Sequence, residues 1–328
     1  MYPIHNDSPL SGIDTSFGGY VRRKEALQSA HMENGVPDYA FAMDYELRRK
    51  LMQVPGLYTV GKKLTTTIVA RQIELTNQQG LAVGPDQFPE IYQMGVDCAQ
   101  RLGISVPNIF IINRTSMNAY TYAFDDISPI VVLHSGIVER LTPGELKCVI
   151  AHECGHIHNN HGVLKGIVDY LLSVASNTVG GMVLSAANLA LMNFWTRAGE
   201  VTADRAALIC ADDIQDAINV DYKLMYGAMI KNDAPMNLGA LKKQLDKIFD
   251  NPTRIMEFGE IVATNNGYDV ALNDHPGALR RIFAELEFTE CETFYKWRPE
   301  MKKPGGIMRA KAETDERCKK LVNILNNK

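Results

Sequence analysis

The run His152-Glu-Cys-Gly-His156 holds three side chains that could perform chemistry together. One turn of an α-helix places His152 and His156 side by side, where two imidazoles can bind one metal ion. Glu153 lies next to them, close enough to take a proton from a water held by that ion. These groups are the smallest set for a zinc hydrolase, although the HExxH pattern also arises by chance in helices that bind nothing.

A catalytic zinc ion usually has three protein ligands and one open position, so a third ligand is needed. The metzincin pattern requires glycine at 159 and histidine at 162, but the chain has Asn159 and Gly162 and does not match it. The stretch 198–209 favours a second helix, on which Glu200 and Asp204 stand one turn apart. We expect Glu200 to be the third ligand and Asp204 to accept the spare ring N–H of a ligand histidine.

With two further segments, these pieces resemble the M48 family of zinc metallopeptidases, the Ste24/HtpX-like gluzincins. The matching segments are His152-Glu-Cys-Gly-His156, Glu200-Val-Thr-Ala-Asp204, Asn118-Ala-Tyr-Thr-Tyr122, and His275-Pro followed by Arg280-Arg281-Ile282. The resemblance implies an α+β, mostly α, zincin-like fold with a small antiparallel β-sheet beside the HExxH helix. It also implies peptide-bond hydrolysis by a metal-activated water, with one zinc ion per chain.

The resemblance also points to residues that would bind the substrate. The strand that contains Asn118, Ala119 and Tyr120 is expected to lie at the sheet edge and to pair with the substrate backbone by β-addition. In the alternative interpretation its tyrosines are ordinary cross-strand packing.

The downstream segment contributes two more expectations. His275 is a candidate donor to the carbonyl oxygen as negative charge develops on it, and Arg281 is suited to holding Asp204 or a neighbouring carboxylate in place. The alternative is that His275 caps a helix that begins at Pro276, with Arg280 and Arg281 facing solvent.

Local signals place the elements that would carry these side chains. Thr142, Pro143 and Glu145 form an N-cap, a first-turn proline and a capping box, which predict a helix that runs to about Gly162. Three β-rich runs precede it, at 108–113, 119–124 and 129–134. Helical periodicity is found earlier in the chain, at 39–49, 62–78 and 88–102.

We divide the chain accordingly. The predicted regions are a flexible N-terminal leader (1–34) and a single M48-like metallopeptidase domain (35–328) with N-terminal helices (35–105), the sheet and zinc-site helices (106–210) and a C-terminal helical part (211–328).

Composition excludes some classes of partner. The 328 residues are 46% hydrophobic, enough for one sizeable core or two modest ones. The net charge of −4 argues against nucleic-acid binding, which needs a basic surface. Six cysteines without CxxC spacing are expected to be reduced and mostly buried, as in a cytoplasmic protein. Cys154 lies inside the motif but should turn away from the histidine face and pack in the core.

Residues 170–196 carry no charge but are diluted by Ser, Asn, Thr and Gly. We expect a soluble helical hairpin, broken near Gly180-Gly181, and the alternative is a membrane-associated protease anchored through this segment. A second alternative is a metal-binding, chaperone-like protein with little turnover. The expected partner is a peptide or unfolded protein substrate. No role is assigned to His5, His31, His134, His158 or His161.

Overall fold

The computed structural model describes residues 31–33, 35–124, 127–173, 178–179, 182–183, 186–226, 236–249, 277–301, 305–306 and 308–322. Residues 1–30, which make up most of the predicted leader, lie outside this part of the chain, as does His275. The described end of the predicted leader, Met32–Glu33, forms strand β1 and pairs with strand β2 at Val36–Pro37.

The described residues are mostly helical, which confirms the predicted α+β class at that level. The helices, numbered in chain order, are α1 (Ala42–Met52), α2 (Leu57–Gln79), α3 (Pro89–Leu102), α4 (Ser135–Arg140), α5 (Pro143–His158), α6 (Gly162–Ser173), α7 (Ala186–Cys210), α8 (Ile214–Tyr226), α9 (Leu238–Phe249), α10 (Ala278–Thr289), α11 (Glu292–Trp297) and α12 (Lys311–Val322). The strands after β2 are β3 (Leu81–Ala82), β4 (Asn108–Ile112), β5 (Ala119–Phe124), β6 (Ile127–His134), β7 (Thr178–Val179) and β8 (Met182–Val183).

The largest sheet of the described residues has four strands in the order β3-β4-β6-β5. β5 and β6 pair antiparallel, with Tyr120 opposite Val132, whereas β4 and β6 pair parallel, with Asn108 opposite Ile130. The predicted wholly antiparallel sheet is therefore wrong at this pairing. After β4 the chain crosses to the far edge of the sheet, where it forms β5. It then returns as β6 between β4 and β5, so β6 runs in the same direction as β4.

Helix α5 begins where the capping signals predicted. The backbone N–H of Thr142 donates to Oε2 of Glu145 at 2.8 Å, and the N–H of Glu145 donates to Oγ1 of Thr142 at 3.3 Å. The predicted end near Gly162 is wrong, because α5 ends at His158 and Gly162 begins α6. Asn160 adopts a left-handed conformation with φ of 53°, which ends the helical path of the backbone just after α5.

Helices α5 and α7 pack closely against each other at Gly155. A Cβ atom at this position would lie 2.7 Å from Cβ of Ala206 and 3.0 Å from Cα of Ala203, closer than real Cβ contacts. Glycine and two alanines therefore set the helix separation. This separation brings the histidine face of α5 against the face of α7 that carries Glu200.

The uncharged segment forms helices at its two ends, with a short hairpin between them. α6 ends at Ser173, β7 pairs antiparallel with β8, and α7 begins at Ala186, while Gly180 and Gly181 lie outside the described residues. Among the described helices, none combines the length and the apolar character that a membrane crossing requires.

Helix α7 lies between two hydrophobic cores. Its C-terminal half, which includes Leu208, packs in a core with α3, α5 and the sheet, and its N-terminal half, which includes Trp195, packs in a second core with α1 and α6. All six cysteines are free and buried, as predicted. Cys154 is fully buried in the first core, which matches its predicted packing role.

Candidate metal centre

Three side chains from α5 and α7 present donor atoms to one point. Nε2 of His152 lies 3.2 Å from Nε2 of His156, and the two nitrogens lie 3.4 Å and 3.5 Å from carboxylate oxygens of Glu200. Ligand atoms about 2.0–2.2 Å from a tetrahedral zinc ion would stand roughly 3.3–3.6 Å apart. The donor set therefore fits a metal ion of this size, and the structure brings together all three sequence-predicted ligands.

The surroundings of the two histidines shift their pKa values in opposite directions. Burial opposes the charged form of His152, but Asp204 and Glu200 raise its pKa to about 10. Burial lowers the pKa of His156 well below its ordinary value, an effect that Glu200 only partly offsets. His156 is consequently a neutral imidazole, the form that binds metals.

The ring of His152 contacts Asp204, and Arg281 holds Asp204 in turn. Its Nδ1 lies 2.9 Å from Oδ1 of Asp204, and Arg281 donates to both carboxylate oxygens of Asp204, with Nε at 2.9 Å from Oδ2. Burial opposes ionisation of Asp204, but Arg281 and His152 lower its pKa. Arg281 is itself buried, so the alternative in which it faces solvent is wrong.

Glu153 lies beside the ligands and is held by the sheet. Oγ1 of Thr121 on β5 donates to Oε2 of Glu153 at 2.7 Å. Burial raises the pKa of Glu153, while His152 and Thr121 partly offset this rise. Sequence reasoning missed Thr121, although the alternation of β5, which turns every second residue to the same face, could have indicated it.

His156 also has a partner that sequence reasoning left unassigned. Its Nδ1 lies 2.8 Å from Nδ1 of His161, and Nε2 of His161 lies 2.9 Å from Oδ2 of Asp44 on α1. His161 falls outside any spacing that HExxH motifs prescribe, and Asp44 lies 117 positions away from it. No local sequence signal connects the two.

A cavity of about 480 Å³ opens beside Glu153 and His152. Its wall includes Asn118 and Ala119, two of the predicted substrate-binding residues. The third, Tyr120, stacks edge-on against Tyr122 and His134. Most of the remaining wall is apolar and comes from the segment before β5 and from α4, α5 and α8, with Met117, Ile137, Val149, Val220, Leu224 and Met225 among its residues.

Buried acids from three helices surround Arg281 at one side of this cavity. Asp204, Asp221 and Glu285 come from α7, α8 and α10, and Nη2 of Arg281 lies 3.2 Å from Oδ1 of Asp221. Burial, together with the charges of Asp221 and Asp204, raises the pKa of Glu285 well above its ordinary value. The raised pKa favours the protonated form of Glu285, which limits the negative charge that Arg281 must balance.

One predicted catalytic residue, His275, lies outside the described residues. Gly277, the next described residue, lines the cavity. Three other unassigned histidines have partners away from the metal ligands: His31 contacts Asp38, His134 contacts Ser116, and His158 contacts Tyr39.

Two histidines and a glutamate on one helix, with a carboxylate on a second helix packed against it, form the arrangement of a metallohydrolase centre. The chain belongs to peptidase family M48, because the model of that family, described as "Peptidase family M48", matches residues 85–287. The matched region contains every ligand of the candidate centre.

Two relatives that are similar to the chain are named as a metallopeptidase and as a protease. The chain is 31% identical over 222 residues to the plastoglobule-localized metallopeptidase 48, chloroplastic, of Arabidopsis thaliana. The aligned region covers 66% of this chain and 64% of the relative. The chain is also 29% identical over 124 residues to a protease HtpX homolog of Acaryochloris marina. This aligned region covers 38% of this chain and 40% of the relative. The matches thus span less than two thirds of these relatives. No solved structure matches the chain.

Proposed function

We propose that the chain is a zinc-dependent endopeptidase that hydrolyses peptide bonds in peptides or unfolded proteins. The observation that carries the proposal is the donor set of His152, His156 and Glu200, with the carboxylate of Glu153 beside it. Two imidazoles and one carboxylate with an open fourth position are the ligands typical of catalytic zinc, here one ion per chain. The M48 membership supports the same activity.

The chemistry follows from the placement of Glu153. The ion, when bound, supplies the Lewis acidity that activates a water molecule and polarises the scissile carbonyl. Glu153 takes the proton of that water and passes it to the leaving amine, a role that its raised pKa suits. Thr121 fixes one oxygen of the Glu153 carboxylate and so orients the base. The mechanism requires no nucleophilic serine or cysteine.

The substrate is expected to bind along β5. This strand lies at the end of the described strand order and borders the cavity through Ala119, and Asn118 borders it just before the strand. An extended peptide can add to such an edge by backbone hydrogen bonds while one of its side chains enters the apolar cavity. Tyr120 contributes through its backbone, since its ring packs on the sheet.

Two downstream residues complete the proposed centre. Arg281 holds Asp204, and Asp204 holds the ring of His152 for metal binding, which are supporting roles that ligand histidines commonly need. His275 is proposed as the donor that stabilises negative charge on the carbonyl oxygen. The placement of Gly277 in the cavity wall supports that role, because only one residue separates it from His275.

The proposal includes a zincin-like fold formed by residues 35–328 as a single domain. The contact between Thr121 of β5 and Glu153 of α5, which brings the sheet against the HExxH helix, supports this fold. A cytoplasmic location is proposed from the six buried thiols. The membrane-associated alternative is tested by fractionating cells that express the chain.

The proposed function is tested by metal analysis of the purified protein and a peptide-library digest with and without a chelator. We expect about one zinc ion per chain and chelator-sensitive cleavage within peptides. Glu153→Gln should keep the zinc and lose turnover, because the ligands remain and the base does not. Glu200→Ala should lose both. A Glu200→Ala protein with undiminished zinc affinity would remove Glu200 from the ligand set.

A further inference from the structure

His156 has an orienting chain of its own, built from residues outside the HExxH and Glu200-to-Asp204 segments. Nδ1 of His156 lies 2.8 Å from Nδ1 of His161, and Nε2 of His161 lies 2.9 Å from Oδ2 of Asp44. We propose that His161 and Asp44 are positioning residues that set the tautomer and ring orientation of His156 for metal binding. This inference rests on the proposed metal site.

When His156 is a ligand, only one placement of protons on His156, His161 and Asp44 gives each hydrogen bond a donor and an acceptor. Nε2 of His156 faces the other donors, so it must carry a lone pair and Nδ1 must carry the proton. That proton is donated to Nδ1 of His161, which must therefore be unprotonated. Nε2 of neutral His161 then carries the proton and donates to the carboxylate of Asp44. An ionised Asp44 thus selects the tautomers of both rings.

Asp44 is held in place by groups that leave it little freedom. Nε1 of Trp195 donates to its Oδ1 at 2.9 Å, and Oγ1 of Thr202 donates to its Oδ2 at 2.8 Å. Asp44 is 3% exposed and His161 is 1% exposed. A carboxylate is costly to bury unless donors surround it, and here three donors do so. The carboxylate is a fixed acceptor at which the chain of hydrogen bonds ends.

The turn after α5 brings His161 to this position. The left-handed Asn160 turns the backbone, and the N–H of His161 donates to the carbonyl oxygen of His156 at 3.0 Å. On the other side, a Cβ atom at Gly199 would lie 3.4 Å from the His161 ring. The ring therefore lies between the end of α5 and Gly199 of α7, with its two nitrogens facing His156 and Asp44.

The two ligand histidines are consequently supported in different ways. His152 meets a carboxylate directly, at Asp204, whereas His156 meets one through a second imidazole. Asp44 lies on α1 at Ala42–Met52, outside the region 85–287 that matches the family. The inference assigns α1 a part in the metal centre that the family match does not include.

The test is the zinc affinity of the purified full chain, measured by competition with a chromophoric chelator and without any peptide substrate. His161→Leu removes both the acceptor for His156 and the donor to Asp44, and we expect its dissociation constant to rise about 10- to 100-fold. His161→Gln offers an amide oxygen and an N–H in place of the ring nitrogens. It should recover most of the affinity. Asp44→Asn should give an intermediate loss, because it removes the charge and keeps an acceptor.

Asp315→Asn is the matched control. Asp315 is another buried acid, and it accepts from the backbone N–H of Ala42 at the start of α1 and pairs with Arg205. Its substitution should lower the melting temperature and leave the zinc dissociation constant unchanged. A merely structural role for Asp44 and His161 would make their variants behave in the same way as this control.

The visible spectrum of the cobalt-substituted protein provides a second readout, because it reports the geometry of the ligands. We expect it to change in His161→Leu and Asp44→Asn but not in Asp315→Asn. Parental zinc affinity in His161→Leu overturns the inference, and if that variant does not fold, parental affinity and an unchanged cobalt spectrum in Asp44→Asn overturn it. A parent chain that binds no stoichiometric zinc instead refutes the proposed function.

Discussion

Thr121 is the residue through which the sheet acts on the proposed chemistry. Its hydroxyl donates to Oε2 of Glu153 at 2.7 Å, whereas the backbone around it belongs to the strand proposed to bind substrate. One residue thus joins the position of the substrate to the orientation of the base. A hydrogen bond to an ionised carboxylate stabilises the charged form and lowers its pKa.

Thr121→Val should therefore reduce turnover and shift its pH dependence. The loss of a hydrogen bond to a charged group costs about 1.5–3 kcal/mol, which corresponds to roughly a 10- to 100-fold fall in kcat. The pKa of Glu153 rises when this donor is lost, so the acid limb of the kcat/KM profile should move to higher pH. The measurement is kcat/KM against pH. Thr121→Ser keeps the hydroxyl and should resemble the parent; coincident profiles for the valine and serine variants would contradict this role.

The candidate site could be predicted where its residues share one helix or one known motif. His152, His156 and Glu153 follow from helical spacing, and Glu200 and Asp204 follow from their own one-turn spacing. His161 and Asp44 could not be predicted, because their contact joins positions 117 apart and depends on the packing of α1. Spacing rules describe neighbours on one element and carry no information about two distant elements.

At the scale of elements, the contact between α5 and α7 sets the distance between Glu200 and the two histidines of the candidate metal centre. Each helix carries candidate ligands on the face that meets the other helix, and Gly155 lies in this contact, where a Cβ atom would be too close to α7. An added methyl group there would meet backbone and Cβ atoms of α7, which cannot move without moving the helix. Any increase in the helix separation moves Glu200 away from the two histidines.

Gly155→Ala is expected to destabilise the protein and weaken zinc binding. Alanine favours a helix over glycine by about 1 kcal/mol, but overpacking a tight contact typically costs about 1–3 kcal/mol, so the steric effect should dominate. The measurements are the urea unfolding midpoint and the zinc dissociation constant.

Gly239→Ala in α9 is the matched control for this prediction. A Cβ atom at Gly239 meets only Oδ1 of Asn237 at 3.4 Å, so this variant should be neutral or slightly more stable. Equal stability changes in the two variants would show that helix propensity, and not the α5–α7 contact, determines the result.

The elements themselves were predictable where their signals are local. The start of α5 and the bounds of β5 match the sequence predictions, because a capping box and a period of two act within a few residues. The end of α5 was predicted four residues too late, since the left-handed turn at Asn160 has no proline or glycine to mark it. The parallel pairing of β4 and β6 depends on chain routing, which periodicity does not encode.

At the scale of the whole molecule, Arg298 joins the chain after α11 to the end of α7. Its Nη1 donates to the carbonyl oxygens of Leu208 at 3.1 Å and Ile209 at 3.2 Å, and also to that of Ala211. The last carbonyls of a helix have no partner within it, and these are buried. One guanidinium therefore satisfies the C-terminal end of the helix that carries Glu200.

Arg298→Leu should strongly destabilise the fold. Each buried carbonyl left without a donor costs about 1–3 kcal/mol, so the unfolding free energy should fall by roughly 3 kcal/mol or more. Urea denaturation provides the measurement. Arg101→Leu is the control, because Arg101 bonds the same Glu300 as Arg298 but lies at the surface, where such a pair contributes about 0–1 kcal/mol. Similar losses in both variants would mean that the ion pair, and not the helix end, is what matters.

The proposed support of Asp204 by Arg281 has a consequence for the order in which a ribosome delivers the chain. The ligand helices emerge first, and Arg281 follows 77 positions after Asp204. Until then, Asp204 and Asp221 lack the guanidinium of Arg281, and removing one partner of a buried ion pair costs several kcal/mol. We expect the helices to remain loosely associated during this interval. The growing polypeptide would then be unable to cleave its neighbours on the polysome, and proteolysis would begin only after α10 has been synthesised and has docked.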